Sequence, residues 1–297
     1  MIISFMHRLA PVRGDRRCRT ATGWKRKAPR HDGGIGPRNP GWYADRGHRR
    51  GAAQGIGAAT LRAYVAAGAD VAALDVNAEA GSAAAGAAHA AGPGTARFLR
   101  CDVGSRASVE DAFGTVADDF DGRLDVLAHI AGIERSAAAE DITDGEWDAV
   151  FNVKMKGTVY TNQSAFRLMR AHGGSIVNFT SGAALKPYPR GAHYSAAKAA
   201  VAAWTRTVAR EWGRYDIRAN SVAPAMRTPM FEAYLARLSP AGLESLRTRH
   251  REQIALGGQL GNPETDLAPV MVFLAGPGSR FITGQIIPVN GGMESVR

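Results

Sequence analysis

The chain has 297 residues and a mass of 31.4 kDa, and its 37 Lys and Arg against 27 Asp and Glu give a formal net charge of +10. With 45% hydrophobic and 22% charged residues, the composition is globular, which excludes the disordered and fibrous classes. Two cysteines, Cys18 and Cys101, are too few for a disulfide framework. No apolar run reaches the roughly 18 residues of a membrane span, and Met1–Met6 does not fit a signal peptide. We therefore expect a cytoplasmic protein with no membrane partner.

The excess positive charge lies entirely in the first 50 residues, which hold 13 Lys and Arg against 3 Asp and Glu, whereas residues 51–297 hold 24 of each. The first segment shows no sustained period of 2 or 3.6 residues, and Gly, Pro and Arg are scattered through it. We predict a basic, disordered leader over residues 1–50 and one domain over residues 51–297. A functional basic arm that binds nucleic acid is the alternative reading of the leader.

Helical and strand patterns alternate along the rest of the chain. Helices are predicted at about 56–67, 78–90, 108–120, 144–171, 193–212, 229–254 and from 263, and strands at about 71–75, 96–102, 124–130, 175–180, 217–222 and 285–289. Strands that alternate with helices of ten or more residues indicate βαβ units and a parallel sheet. Right-handed crossovers then place helices on both faces. We predict a single α/β domain with a doubly wound parallel sheet.

A glycine-rich loop, Gly51-Ala-Ala-Gln-Gly55-Ile-Gly57, opens the first of these helices. Glycines at this spacing let the backbone approach a pyrophosphate, and the helix N-terminus supplies free N–H groups. Asp75 ends the next strand, 18 residues after Gly57. A carboxylate there binds the adenosine ribose hydroxyls and repels a 2′-phosphate, which favours NAD over NADP. An ordinary loop and a helix N-cap at Asp75 are the alternatives.

The segment before this loop, Tyr43–Arg50, does not have the pattern of a buried strand, although the motif should follow one. Asp45–Arg49 can be encoded by the codons GAC CGT GGC CAT CGT C, and the same bases shifted by one would encode Thr-Val-Ala-Ile-Val, a well-formed parallel strand. We hypothesise that residues up to about Arg50 are translated out of frame. The first strand of the domain is then missing or replaced. A gene sequence that lacks codons for this strand would reject the hypothesis.

Ser181, Tyr194 and Lys198 form the strongest catalytic signal. Tyr194 and Lys198 are four residues apart on one face of a helix, and Ser181 follows a strand 13 residues earlier. A phenol with a pKa near 10 is a poor base at neutral pH, but a neighbouring ammonium lowers that pKa. Tyr194 would then exchange a proton with a substrate hydroxyl while hydride passes to or from a nicotinamide. In isolation, the same residues are also compatible with a surface Tyr and Lys beside a loop serine.

Taken together, these motifs resemble the short-chain dehydrogenase/reductase family over essentially all of residues 51–297. The matching segments are GAAQGIG at 51–57, LDV at 74–76, CDV at 101–103, AGI at 131–133, TSG at 180–182, YSAAK at 194–198 and ITGQIIPVNGG at 282–292. The resemblance implies a seven-stranded Rossmann-type sheet, a nicotinamide cofactor and the interconversion of alcohols and carbonyls. It also implies a small-molecule substrate and a homodimer or homotetramer.

The resemblance further implies a role for each matching residue. Ser181, Tyr194 and Lys198 would be catalytic, and Tyr194 and Lys198 would also contact the cofactor. The other cofactor-binding residues would be Gly51, Gly55, Ile56 and Gly57 at the pyrophosphate, Asp75 at the ribose, Asp102 and Val103 at the adenine, Ala131 and Gly132 in the turn after the fourth strand, and Thr228 at the nicotinamide amide. No metal site is expected, since no His, Cys, Asp and Glu cluster has ligand spacing.

Four positions depart from the family pattern. Arg50 replaces a Thr, His129-Ile-Ala-Gly replaces Asn-Asn-Ala-Gly, Ala225 replaces a Gly, and Lys154 aligns with the catalytic asparagine of the long helix. In the family, that asparagine holds a helix distortion, and its main-chain carbonyl holds a water of a proton relay. This carbonyl is still present in Lys154. We expect an NAD-dependent oxidoreductase that interconverts a secondary alcohol and a ketone. A degenerate, inactive member of the family and a basic nucleic-acid-binding protein are the alternatives, and no substrate is identified.

Overall fold

The computed structural model describes residues 3–7, of which only the backbone is considered, and residues 55–294. Gly51 and the frame hypothesis for the residues before Arg50 lie outside the described residues. Most of the predicted leader also lies outside them, so the division of the chain at residue 50 stays a prediction. One part of that leader is described, and it forms a strand, Ile3–His7.

Seven strands form one sheet. They are β1 (Ile3–His7), β2 (Asp70–Asp75), β3 (Thr95–Arg100), β4 (Val126–His129), β5 (Gly174–Phe179), β6 (Ile217–Pro224) and β7 (Ile286–Val289). Their order across the sheet is β3-β2-β1-β4-β5-β6-β7. The pairs β2 with β3, β4 with β5, β5 with β6 and β6 with β7 are parallel. The predicted doubly wound α/β fold is therefore confirmed.

Strand β1 differs from the prediction in its direction. It fills the central position, where Phe5 pairs with Ala72 of β2 on one side and with Leu127 of β4 on the other, but it runs antiparallel to both. A first strand that leads directly into the glycine loop would be parallel to its neighbours, as in other βαβ units. Residues 8–54 separate β1 from the described start of this loop, so no short crossover imposes that direction. The first strand is thus replaced by a segment from the beginning of the chain.

The helices lie close to their predicted positions. They are α1 (Ile56–Ala66), α2 (Ala78–His89), α3 (Arg106–Asp119), α4 (Asp144–Phe151), α5 (Gly157–Met169), α6 (Ala192–Trp212), α7 (Pro229–Leu235), α8 (Pro240–Gln253) and α9 (Ala268–Ala275). Side-chain caps define several N-termini: Asn77 caps α2 and Ser105 caps α3. Thr143 and Glu146 form a capping box at α4. The helical region predicted at 229–254 consists of the two helices α7 and α8.

The long helix predicted at 144–171 is distorted at the position of Lys154, where the family resemblance implies a helix distortion. A π-helical turn, Asn152–Lys156, joins α4 to α5. Such a turn carries one extra residue and changes the direction in which the following side chains point. Lys154 lies in this turn and is only 5% exposed. The distortion therefore brings a lysine into the interior at the position where the family resemblance places an asparagine.

Apolar side chains cover both faces of the sheet. Along β2, Val71 and Ala73 belong to one buried cluster, and Ala72 and Leu74 belong to another, as the twofold alternation of a strand requires. The first cluster contains Leu61, Tyr64 and Val65 of α1 with Met271 and Leu274 of α9, and the second contains Val109, Phe113 and Val116 of α3 with Met169 of α5 and Val208 of α6. Among residues 55–294, no helix is long and apolar enough to cross a membrane. With both faces covered, the carboxyl edge of the sheet is where a site can form.

The pairing of β1 predicts that a proline in this strand destabilises the whole sheet. A Phe5→Pro variant removes a backbone N–H and leaves neighbouring groups without partners, which costs about 1–3 kcal/mol for each unpaired group. Urea denaturation of the full chain should therefore show a lower midpoint than for the Phe5→Ala control, which retains the N–H. Equal midpoints for the two variants would contradict the central position of β1.

Candidate active site

The three predicted catalytic residues meet at the carboxyl edge of the sheet. Ser181 follows β5, and Tyr194 and Lys198 lie in the first two turns of α6. The Ser181 hydroxyl accepts the N–H of Ala183 at 3.2 Å and is hydrogen-bonded to the Tyr194 phenol. The Lys198 amine donates to the main-chain carbonyl of Phe179 at 2.6 Å. The structure thus assembles the Ser, Tyr and Lys side chains in one place.

The ionisation of Tyr194 differs from the sequence expectation. Burial raises the pKa of this phenol, the hydrogen bond from Ser181 lowers it, and the carboxylate of Glu134 raises it further. We expected the ammonium of Lys198 to lower the pKa of Tyr194. The pKa of Lys198 is itself well below its ordinary value, because the amine is buried and lies beside Lys154. Because this pKa is lowered, Lys198 supports a phenolate of Tyr194 less strongly than the sequence indicates.

Lys154 retains the backbone feature of the position that it occupies. Its carbonyl lies in the π-helical turn and accepts the hydroxyl of Thr158 at 2.6 Å. The side-chain amine lies 4.6 Å from the centroid of the Tyr194 ring. The asparagine side chain of the family is thus replaced by an amine that faces the candidate general acid–base.

His129 ends β4 beside these lysines. The ring is 2% exposed, and its Nδ1 lies 2.9 Å from the hydroxyl of Thr161. Its Nε2 has no hydrogen-bond partner among the described residues. Burial, followed by the charges of Lys198 and Lys154, lowers the pKa of His129 to about 3. The ring is therefore neutral at physiological pH and does not act as a cation in the site.

Buried amides hold the catalytic elements together. Asn162 of α5 and Asn178 of β5 form two mutual hydrogen bonds of 2.9 Å. Asn178 also donates to Thr205 of α6 at 3.0 Å, and the indole of Trp204 donates to Asn162 at 3.0 Å. All four contacts join α5, β5 and α6. They fix the strand that leads to Ser181 against the helix that carries Tyr194.

The cofactor side of the edge is formed by α1 and β2. Gly55 is the N-cap of α1, Ile56 is its first residue, and Gly57 is buried. Among the described residues, no side chain caps this helix, and its first turn contains no acidic residue. A Cβ placed on Gly55 would meet no atom of the described residues within 4 Å. These features suit a pyrophosphate.

Asp75 lies at the carboxyl end of β2, where the ribose role requires it. The side chain is 2% exposed, and its Oδ1 accepts the N–H of Asn77 at 2.9 Å. The helix N-cap is Asn77, whose side chain accepts the N–H of Ala80 at 3.0 Å. Asp75 is therefore not the N-cap of α2, and the alternative interpretation of this residue as a helix N-cap is wrong. Its carboxylate instead orders the turn between β2 and α2.

The other predicted cofactor residues lie along the same edge. Asp102 and Val103 follow β3, Ala131 and Gly132 follow β4, and Thr228 follows β6. The carboxylate of Asp102 accepts the N–H of Gly104 at 2.9 Å, and Val103 is buried. The hydroxyl of Thr228 caps α7 by accepting the N–H of Phe231 at 3.3 Å. Within the described residues, no group of three or more His, Cys, Asp and Glu side chains is suited to hold a metal ion.

A polar pair at the rim of the site was missed in the sequence. The hydroxyl of Tyr188 donates to the Glu134 carboxylate at 2.5 Å, and the rings of Tyr188 and Tyr194 are 5.8 Å apart. The two residues belong to separate loops, after β4 and before α6, so no local motif links them. Only the position of both loops at the carboxyl edge indicates that they can meet.

Known proteins are similar in sequence or fold to most of the chain. A family model described as enoyl-(acyl carrier protein) reductase matches residues 51–294. The chain is 37% identical to the short-chain reductase protein NovJ of Streptomyces niveus, in a match that covers 82% of this chain and 91% of NovJ. It is 34% identical to the D-threitol dehydrogenase of Mycolicibacterium smegmatis, in a match that covers 82% of this chain and 90% of that enzyme. A solved short-chain type dehydrogenase/reductase of Mycobacterium ulcerans superposes with a TM-score of 0.74 at 28% identity, covering 81% of this chain and 86% of that one. The chain belongs to the short-chain dehydrogenase/reductase family.

The buried His129 predicts an acid-sensitive stability. Its pKa is about 3 in the folded chain and about 6.5 when exposed, so below pH 6.5 the unfolded chain binds a proton that the folded chain does not. The contribution of His129 to the free energy of unfolding is therefore fully present above pH 6.5. It decreases as the pH falls towards 3, by about 1.4 kcal/mol per pH unit.

Between pH 7 and pH 5, urea denaturation should show that the chain loses about 2 kcal/mol more stability than a His129→Asn variant loses. A His89→Asn variant, changed at an exposed position of α2, should show the same pH dependence as the unaltered chain. If the stability of His129→Asn also has the pH dependence of the unaltered chain, the assignment of a neutral ring to buried His129 is wrong.

Proposed function

We propose that this chain is an NAD-dependent oxidoreductase that interconverts a secondary alcohol and a ketone by hydride transfer. The observation that carries the proposal is the convergence of Ser181, Tyr194 and Lys198 at the carboxyl edge, next to the open N-terminus of α1. Membership of a family of dehydrogenases and reductases supports an oxidoreductase over a nucleic-acid-binding protein. The substrate is proposed to be a small alcohol or carbonyl compound.

The residues of the edge fit a nicotinamide dinucleotide. Gly55, Ile56 and Gly57 would receive the pyrophosphate at the N-terminus of α1, and Asp75 would bind the adenosine ribose. Thr228 would contact the carboxamide of the nicotinamide. When bound, the oxidised cofactor accepts the hydride of the substrate carbinol and contributes a positive charge beside Tyr194. That charge is of the sign needed to lower the pKa of the buried phenol.

Asp75 favours NAD over NADP. Its carboxylate is buried at the end of β2, where a 2′-phosphate on the ribose would lie against a second negative charge. The ribose hydroxyls of NAD, in contrast, are donors that a carboxylate accepts. We propose NAD as the cofactor for this reason, with NADP as the disfavoured alternative.

The proton of the reaction is assigned to Tyr194. In the direction of reduction, the phenol donates its proton to the carbonyl oxygen as hydride arrives at the carbon, and in oxidation the proton returns to the tyrosine. Ser181 would hold the reacting oxygen with its hydroxyl, and Lys198 would hold the ribose. The hydrogen bond between Ser181 and Tyr194 supports this division, because both hydroxyls face the same point.

We also propose the oligomeric state and the location in which this activity takes place. The two long helices α5 and α6 are the surfaces through which a homodimer or homotetramer would form. The cytoplasm is the proposed location, with neither nucleic acid nor a membrane as partner.

Removal of the phenol tests the acid–base role. A Tyr194→Phe variant should lose at least about 100-fold in kcat for the interconversion of a secondary alcohol and a ketone, since a positioned acid–base contributes this much. Its dissociation constant for NADH, measured by fluorescence titration, should change little. Tyr160→Phe, which lies under the guanidinium of Arg106 on the helical surface, is the matched control. A Tyr194→Phe variant with unaltered turnover would refute the mechanism.

Cofactor choice is tested at Asp75. The chain should bind NADH more tightly than NADPH, and Asp75→Ala should reduce this preference by about tenfold or more, which corresponds to about 1.4 kcal/mol. Asp70→Ala, at the opposite end of β2, serves as the control because Asp70 binds the hydroxyl of Thr95 away from the edge. Tighter binding of NADPH by the unaltered chain would overturn the role of Asp75.

A further inference from the structure

A second buried amine enters the catalytic centre. Lys154 is 5% exposed, and its Nζ lies so close to Gly132 that a Cβ on this glycine would be only 2.3 Å away from it. On the other side, the same amine lies 4.6 Å from the centroid of the Tyr194 ring. The glycine after β4 therefore provides the space that holds this amine against the ring. The lysine is part of the centre and does not point out to solvent.

The two buried lysines meet through their amines. Lys154 and Lys198 are each 5% exposed, their amines are close enough for each to shift the pKa of the other, and Lys198 donates to the carbonyl of Phe179 at 2.6 Å. An ammonium has three donors and no acceptor, so two adjacent lysine amines can share a hydrogen bond only when one of them is neutral. Two adjacent ammonium groups in the interior would also repel each other and lose their hydration.

The groups around the pair do not supply a second buried charge. From β4, His129 presents a ring that is neutral at physiological pH. From the loop after β4, the carboxylate of Glu134 attracts both lysines, but this residue is exposed at the rim and is bound to Tyr188. From α6, Tyr194 presents its ring face and holds its own proton. Within the described residues, one exposed carboxylate thus faces two buried amines.

We propose that Lys154 and Lys198 share a single proton and that Lys154 holds it, as a positioning residue whose ammonium supports the ionisation of Tyr194. The ring face next to Lys154 attracts a cation. The carbonyl next to Lys198 accepts a hydrogen bond from a neutral amine as well as from an ammonium. This inference rests on the proposed function, because it assigns to Lys154 the charge that the reaction requires beside the phenol.

The expected titration follows from the same contacts. Burial lowers the pKa of Lys154 to about 8, although Glu134 and the hydrogen bond with Lys198 raise it. The pKa of Lys198 is well below its ordinary value, because of burial and of Lys154. With the shared proton on Lys154, the pair carries one charge at neutral pH and becomes neutral above about pH 8. The support for the phenolate of Tyr194 should therefore be lost as the pH rises through about 8.

A direct test measures the lysines in the full chain without relying on activity. The sequence contains six lysines: Lys25, Lys27, Lys154, Lys156, Lys186 and Lys198. NMR titration of protein labelled with ¹³C at the lysine Cε should show Lys154 with a midpoint near 8 and Lys198 with a lower one, each assigned by its own Lys→Met variant. In Lys154→Met, the midpoint of Lys198 should rise by at least about one pH unit, because a competing cation is removed.

Two further variants keep the test decisive. Lys156→Met, at an exposed position of the same π-helical turn, should leave both midpoints unchanged. If Lys154→Met does not fold, Lys154→Asn carries the residue that the family resemblance places here and should raise the midpoint of Lys198 in the same way. A Lys154 midpoint at the ordinary value near 10.4, or a Lys198 midpoint unaffected by either variant, would overturn the shared proton.

The kinetic consequence is measured with one substrate. This substrate is the secondary alcohol that the unaltered chain oxidises fastest among a panel of alcohols. The kcat of oxidation by the unaltered chain should stop rising near pH 8, whereas Lys154→Asn should move this break by at least about one pH unit with little change in KM. An identical break in both proteins would reject the role of Lys154. If no alcohol is oxidised at all, the proposed function fails, while the NMR titration still decides whether the proton is shared.

Discussion

The backbone at the centre of the sheet is the constraint on which the other features depend. Strands β2 and β4 are buried on both faces. The N–H and C=O groups on the edges of these strands that face the central position therefore lie away from water. Unpaired buried backbone groups are costly, and a strand must therefore occupy the space between them. Strand β1 provides the partners on both sides and joins seven strands into one sheet. Its direction matters less than its presence, because an antiparallel strand satisfies the same groups.

The continuity of the sheet aligns the two halves of the site. The cofactor half is carried by α1, β2 and β3, and the catalytic half by β4, β5 and α6, with β1 between them. Helix α1 is also held by contacts with elements other than β1. Its Leu61, Tyr64 and Val65 are fully buried, and the Tyr64 hydroxyl lies 3.4 Å from the carbonyl of Met271. The N-terminus of α1 can therefore keep its place even though β1 runs opposite to the direction expected.

Most of the fold could be predicted from local signals, and the exceptions have non-local causes. From β2 onward, the strands and helices follow from buried apolar runs, helical spacing and N-caps such as Ser105 and Thr143, which act within a few residues. Strand β1 carries no such signal, because five residues near the beginning of the chain pair with strands more than 60 residues away. The π-helical turn at Lys154 is implied only by the family resemblance and not by the helical spacing of the residues.

In the site, the motifs located Ser181, Tyr194 and Lys198, whereas their protonation depends on residues that the motifs do not contain. Glu134 and Tyr188 are 54 positions apart, and Lys154 and Lys198 are brought together only by α6 packing against the π-helical turn. Burial, which reverses the expected direction for the pKa of Tyr194, is likewise a property of the packed chain. Sequence patterns thus identify which groups are present, and tertiary contacts decide their charges.

The charges of the site follow from a shortage of buried anions. Three basic side chains, His129, Lys154 and Lys198, are each at least 95% buried, and Glu134 lies at the rim with its carboxylate bound to Tyr188. Burial without a paired anion is least costly when the basic groups release protons. His129 does so completely, and the lysines do so in part, which leaves one cation beside Tyr194. A carboxylate placed deeper would have kept both lysines charged and held them in an ion pair, away from the phenol. The rim position of Glu134 instead leaves the remaining charge directed at the ring.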